Sequence, residues 1–559
     1  MPTASTKSRA RKATQKTKRD TRATATAGWP AAKHVGQRTE TAAPESFDDN
    51  RVAEMSDRAW FWASLAVIAA AAFLRLYLLE LKPMHHDEGV NGFFLTNLVR
   101  EGRYQYDPSN YHGPVLYYFA LVPVFLLELN TYAVRLVPAL FGVATVVLPL
   151  LLTRRIGRFG ALSAAALIAV SPGAVFISRY FIHEALFVFF TFGAVVCLIR
   201  YYDAGRPSDL LLASAALALL FATKETAFIS VGVLILAALV AILWMRFVWN
   251  DKLNLNAARY GSATDVALLF GGAIALSLFI NVVFYSSFFT NQKGLAGAVE
   301  SLKIWTKTGA SEFHKKPFST YISWLQAEEA PAFVLAMIGT TWALLKARQR
   351  FAVFTGAWAF GILAAYSLIP YKTPWLALNI SVPMALAAGF AMEFMRAEAL
   401  KRWGTQAPAL IILTAAVGVS SYQTVKLNFY EYDNDSYPYV YAHTKRDTVR
   451  LVEAIENLAR RAGTGTETPI AITSNTADSG YWPLPWYLRD YKSVAYLSGV
   501  GAPTQPVVIC SQKQTPEMMA QPDYVQTGTY TLRPGVDLAL FARRELATRR
   551  TIGESIAHR

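Results

Sequence analysis

Residues 135–157 read RLVPALFGVATVVLPLLLTRRIG, and residues 171–190 read SPGAVFISRYFIHEALFVFF. The first is an apolar run of membrane-crossing length, since a span takes about 20 residues at roughly 1.5 Å each. It stops at a pair of arginines. The second passes through a short polar turn carrying Arg179, His183 and Glu184 and then becomes apolar again. Span, basic turn, span, polar turn, span is the alternation of a polytopic membrane protein, and the rest of the chain repeats it.

Eleven runs qualify or nearly qualify: about 60–79, 132–152, 159–177, 184–201, 209–223, 226–245, 264–286, 331–346, 352–369, 375–394 and 407–424. A twelfth, 114–129, is short, holds Pro123 and ends in Glu128. Lys and Arg accumulate on the cytoplasmic side of spans. The basic N-terminal stretch and TRRIGR at 153–158 therefore belong on one side, with an even number of crossings between them. This places 114–129 along the outer surface as an interfacial helix. By the same count Arg200–Arg206, Arg246–Arg259, Lys346–Arg350 and Arg396–Arg402 fall inside, and the C-terminal region falls outside. The expected fold is an α-helical polytopic membrane protein of about eleven transmembrane helices with a C-terminal extracytoplasmic α/β domain. The expected location is the plasma (inner) membrane, multi-pass, with a cytoplasmic N-terminus.

Composition agrees. Of 559 residues, 53% are hydrophobic and 17% charged, against about 25% charged in soluble domains. This excludes a disordered chain and argues against a wholly soluble enzyme. Cys197 and Cys510 are the two cysteines, so a disulfide framework and a cysteine zinc site are both excluded. The net charge is +15. Between Met1 and Arg38 stand ten Lys/Arg against one acid, Asp20. Residues 1–57 read as a disordered basic cytoplasmic tail that touches anionic lipid. Trp29 stands as the single aromatic among residues 1–38 and no folded unit accompanies the charge, so no nucleic-acid partner is expected. Residues 58–424 form the transmembrane domain, with external loops at about 80–131 and 287–330. Residues 425–559 form the α/β domain, with a helix near 446–461 and strands at 469–473, 493–497 and 506–510.

Ionisable residues within or beside a membrane domain cost free energy and usually face a cavity. Here they recur at successive outer turns. HHDE supplies His85, His86, Asp87 and Glu88, and DPSNYHGP supplies Asp107, Asn110 and His112. SRYFIHEA gives Arg179, His183 and Glu184, and ATKETA gives Lys224 and Glu225. HKKPFSTY gives His314, Lys315 and Lys316, and PYKTPW gives Tyr371, Lys372 and Trp375. Each has a plainer reading. Asp87 precedes a helix expected over 88–100 and closed by Gly102, where an Asp is a good N-cap and Glu88 complements the helix dipole. Interface lysines snorkel to headgroups, and interfacial Tyr and Trp form an aromatic belt. The conjunction of acids, histidines and cations on one side is what an anionic substrate at the membrane surface requires. A carboxylate serves as general base toward a hydroxyl or amine, or with His and Glu holds a divalent cation. Lys and Arg neutralise a phosphate leaving group.

The ordered motifs resemble the GT-C superfamily of integral membrane glycosyltransferases, on the branch of protein O-mannosyltransferases and lipid A aminoarabinose transferase. The resemblance rests on the acidic pair Asp87-Glu88, on GPVLYYFALVPVF as the interfacial helix, on 135–157 and 171–190, and on HKKPFSTYISWL. HHDEGVNGFF, DPSNYHGPVLYY, PYKTPWLALN and SYPYVYAHT are similar to a narrower subfamily associated with flippase activity in surface glycosylation. The resemblance covers roughly 58–500. It implies a polyprenyl-phosphate-linked sugar donor, transfer on the extracytoplasmic face with inversion, and a protein, lipid or glycan acceptor. Carried over by position, Asp87 is the general base or acceptor-binding acid. Glu88 and Glu184 are supporting catalytic acids. Lys224, His314 and Lys372 meet the donor phosphate, with His86, His112 and Arg179 as further substrate-binding residues. Asp87, Glu184 and His183 are the candidate ligands of a divalent metal cation. Glu184 stands where relatives often carry Asp, a change of one methylene in reach. Two other readings are a non-catalytic protein that handles or flips lipid-linked oligosaccharide, and a secondary transporter. Transporters place ionisable groups near the midplane and often contain repeats; here those groups sit at the outer ends and no repeat is visible.

Overall fold

The computed structural model describes residues 55–548 apart from 111, 252, 254–256, 310–314 and 474–479. Of the basic tail expected at 1–57, all but the last three residues lie outside the described ones, as does His314. The helices run in the order α1 (Asp57–Leu76), α2 (His86–Glu101), α3 (Val115–Leu127), α4 (Thr131–Val147), the short α5 (Thr153–Ile156), α6 (Arg158–Ala169), α7 (Pro172–Ser178), α8 (Glu184–Ala204) and α9 (Pro207–Phe221). They continue as α10 (Ala227–Val248), α11 (Ala263–Tyr285), α12 (Lys293–Gly309), α13 (Thr320–Glu328), α14 (Ala330–Leu345), α15 (Arg350–Leu368), α16 (Ala377–Trp403) and α17 (Ala407–Val425).

Among the described residues, eight helical segments are long and apolar enough to cross a membrane, and the pair α6–α7, bent by 57°, makes a ninth. α9 and α14 are apolar but shorter, as is α3. α3 begins and ends at the same end of the bundle. Before it, the Gly113 amide donates to the carbonyl of Thr223 (3.1 Å); after it, Arg489 donates to the carbonyl of Leu129 (3.0 Å). The opposite end is knitted by ion pairs between turns: Arg158 with Asp57 (2.6 Å), Arg350 with Asp251 (2.9 Å), Arg155 with Asp203 and Arg200 with Asp209. Most arginines of the inter-helix turns therefore gather at one end, and the histidine and acid turns at the other.

The run 159–177, expected as one span, is broken. Ser171 caps α7 and Pro172 occupies its first turn, where a missing amide costs nothing. The groups freed by the break find partners, as buried backbone must. Thr424 Oγ1 donates to the carbonyl of Val170 (2.6 Å). The carboxylate of Glu329 accepts from Ser171 Oγ (2.7 Å) and from the amide of Gly173 (2.9 Å).

The C-terminal region carries α18 (Asp447–Ala462) and a five-stranded sheet: β1 (Ile470–Thr473), β2 (Val494–Leu497), β3 (Val507–Ser511), β4 (Tyr524–Arg533) and β5 (Val536–Arg543). The strand order is β2-β1-β3-β5-β4. β1 is parallel to β2 and β3, while β5 is antiparallel to β3 and β4. Side chains alternate between faces as strand geometry demands. Ile470, Ile472, Val507 and Ile509 pack with Leu451, Ile455 and Leu458 of α18, while Ala471, Val508 and Cys510 face the other way. β4 and β5 are additional to the three strands the sequence predicts. The sheet region docks on α2 through two glycines. A Cβ at Gly89 would lie 2.6 Å from Cβ of Pro483, and one at Gly92 would lie 2.4 Å from Cε3 of Trp486. Tyr487 OH accepts from the amide of Met84 (2.8 Å), and Trp486 Nε1 donates to Thr131 Oγ1 (3.2 Å).

Candidate active site

The start of α2 decides what Asp87 can do. The helix begins at His86, two residues earlier than expected, and His85 caps it: Nδ1 of His85 accepts from the amide of Asp87 (3.1 Å). Glu88 completes the capping box by accepting from the amide of His85 (2.8 Å), a reciprocal arrangement that satisfies two otherwise orphaned donors. Asp87 is thereby relieved of capping, and its carboxylate, 39% exposed, turns to a cavity.

That cavity has a volume of about 830 Å³ and lies at the end of the bundle where the polar turns meet. It gathers His86, Asp87, His112, His183, Glu184 and Lys224 from four separate turns. Glu184 and Lys224 form a buried ion pair. Burial opposes the charge on Lys224, but Glu184 and Glu225 outweigh it and hold the ammonium above its ordinary range. His112 Nδ1 donates to Glu225 (2.9 Å). His183 donates from Nε2 to the carbonyl of Gly113 (3.2 Å); burial, with His112 and Lys224 nearby, keeps its imidazole neutral. Of the three carboxylates among the described lining residues, Glu184 and Glu225 are thus committed to short contacts with Lys224 and His112. Asp87 approaches His85 Nδ1 only to 4.0 Å. His86 is pushed down to about 4 by burial, with Asp87 opposing and His85 and Arg533 adding.

Three expected site residues stand off the cavity. Glu88 is fully buried and held by Arg135 through two 2.7 Å bonds, while its Oε1 also accepts from the amide of Phe181 (2.7 Å). Arg135 in turn donates to the carbonyls of Leu79, Lys82 and Pro83, so the pair clamps the first loop. Arg179 donates to the carbonyls of Leu74 (3.0 Å), Tyr77 (2.7 Å) and Leu78 (2.7 Å). It closes the end of α1, where carbonyls lack helical partners. Lys372 is buried and donates to the carbonyl of Ile369 (2.6 Å).

The proposed metal ligands do not converge. Glu184 is bound to Lys224 and His183 to a carbonyl, and among the described residues no three His, Cys, Asp or Glu side chains form a ligand cluster. The described residues thus offer no preformed site for a divalent cation.

Asn91, Trp375 and Tyr441, from the segments HHDEGVNGFF, PYKTPWLALN and SYPYVYAHT, also line the cavity, together with Trp305 and Arg533, which no sequence motif marks. Asn91 accepts from Tyr117 OH (2.9 Å). Trp305 from α12, Trp375 and Tyr441 present aromatic surface, which suits sugar rings. Arg533 comes from the end of β4, and its NH1 donates to His86 Nδ1 (2.8 Å).

The fold, a polytopic helical bundle with an α/β region docked over one end and an acid-bearing cavity, is shared with a solved membrane protein. Residues 113–292 match the family described as dolichyl-phosphate-mannose-protein mannosyltransferase. ArnT from Cupriavidus metallidurans in the apo state is similar with a TM-score of 0.61 at 13% identity, over 88% of this chain and 99% of that one. The same protein bound to undecaprenyl phosphate gives 0.57 at 13% identity, over 89% and 100%. The Archaeoglobus fulgidus oligosaccharyltransferase gives 0.48 at 15% identity, over 89% and 76%. A comparison with curated proteins finds no match.

Proposed function

We propose that this chain transfers a sugar from a polyprenyl-phosphate-linked donor to an acceptor bound in the cavity, with Asp87 as general base. The observation that carries the reading is the state of Asp87: among the described residues it is the lining carboxylate left out of a short contact with a cation or histidine. The family match over 113–292 and the undecaprenyl phosphate bound to ArnT support the donor class. In the proposed step the acceptor oxygen or nitrogen attacks the anomeric carbon and passes its proton to Asp87. The bond from that carbon to the phosphate oxygen breaks, its electron pair leaves with polyprenyl phosphate, and the sugar inverts. N–H donors facing the cavity meet the charge that gathers on the phosphate.

The same reading puts eleven crossings in the plasma membrane, with α3 at the outer interface, the N-terminus cytoplasmic and the cavity extracytoplasmic. The arginines at the far end of the bundle support that orientation. A transfer assay in nanodiscs, with a panel of polyprenyl-phosphate sugars, tests the function. Wild type is expected to release polyprenyl phosphate, and Asp87→Asn to lose roughly 10²–10⁴-fold in rate while remaining folded. Donor binding without turnover by wild type would favour the lipid-handling reading instead.

A further inference from the structure

Arg533 sits at the last position of β4, paired with Val536 across the turn into β5. Gly535 in that turn has φ +76°, a conformation glycine adopts without strain. The turn reaches the cavity because the surrounding region is seated on the glycine face of α2, with Pro483 and Trp486 where side chains at Gly89 and Gly92 would be. Arg533 also donates to the carbonyl of Trp482 (3.3 Å), which ties the hairpin to that seat. An arginine has donors and no acceptor. Nδ1 of His86 must therefore accept in the 2.8 Å contact, and a neutral imidazole that accepts at Nδ1 carries its proton at Nε2.

We propose that Arg533 is a positioning residue: by donating to Nδ1 of His86 it fixes the Nε2–H tautomer, and that N–H, beside Asp87, donates to the phosphate of the leaving polyprenyl phosphate. The inference rests on the glycosyltransferase reading above. It gives the C-terminal sheet a part in the chemistry, because one hairpin orients a group on the first loop that would otherwise interconvert between two tautomers. Only one of those tautomers donates from Nε2.

A double-mutant cycle tests it. The amide nitrogen of a glutamine at position 86 lies about where Nε2 does, and it donates with no tautomer to select. Turnover is measured for wild type, Arg533→Met, His86→Gln and the double variant, each checked for a monodisperse elution profile in detergent. Arg533→Met is expected to lower kcat roughly ten- to a hundredfold with donor KM little changed. In the His86→Gln background the same substitution is expected to cost less than about threefold. His86→Asn, whose amide mimics Nδ1, is expected to be as impaired as Arg533→Met. Equal losses from Arg533→Met in both backgrounds, or a loss confined to KM, would overturn the positioning role and leave the glycosyltransferase reading standing. Wild type without turnover would overturn both.

Discussion

At the scale of single residues, one hydrogen bond separates a capping Asp from a candidate base. Sequence rules favour Asp at an N-cap and do not include His among the preferred caps. The sequence therefore left Asp87 with two readings, and His85 Nδ1 takes the capping role in the folded chain. Glu88, Arg179 and Lys372 stand out in the sequence by their charge and their place in outer turns. Their partners are the side chain of Arg135 and backbone carbonyls, which no spacing rule reveals. Arg533 was invisible for another reason: 447 positions separate it from His86, and it lies in a region without a charge motif. The Glu184–Lys224 pair yields a prediction at this scale. Both side chains are nearly inaccessible, and removing one partner of a buried pair leaves an uncompensated charge costing about 3–5 kcal/mol. Lys224→Met is expected to lower the melting temperature sharply, and Lys224→Met with Glu184→Gln to recover much of it. A double variant no better than the single would mean the pair is not the cause.

At the scale of elements, two junctions carry consequences. The α6–α7 break was readable at Ser171-Pro172, yet both halves are apolar and the hydropathy run passes over them. The break is held by Glu329, whose carboxyl burial pushes up to about 7, hydrogen bonds from Ser171 and Gly173 opposing. Its neighbour Glu328 is raised in the same way. An unfolded Glu gives up its proton near 4.5. Between pH 4.5 and 7 the folded state thus binds more protons at Glu329, and its contribution to stability falls as pH rises through that window. Glu329→Gln keeps an acceptor and removes the titration. Its melting temperature relative to wild type should climb between pH 5 and pH 8; an unchanged difference would remove Glu329 as a titrating group. The second junction is the glycine face of α2. Gly92→Leu collides with Trp486, and it is expected to abolish turnover and expose the 480s segment to protease while the bundle keeps its helical circular dichroism. An intact, active variant would show that the docking is dispensable.

At the scale of the whole molecule, the apolar runs were legible because bilayer thickness sets their length. The sheet was half legible: β1, β2 and β3 are short apolar clusters between turn residues, whereas β4 is a polar strand, YVQTGTYTLR, with too weak an alternation to stand out. The proposed orientation rests on where the arginines gather. Reporter fusions at Arg155 and in the C-terminal sheet region should report cytoplasm and exterior respectively; a cytoplasmic sheet would place the cavity on the wrong side for the proposed donor.

The hairpin that brings Arg533 to His86 also sets an order in time. Synthesis yields Asp87 early and Arg533 late, with every intervening helix and most of the sheet in between. A chain still leaving the ribosome holds the acid of the cavity without its opposite wall. Half-made protein, already in the membrane, carries Asp87 and His86 before the arginine that bonds His86 exists.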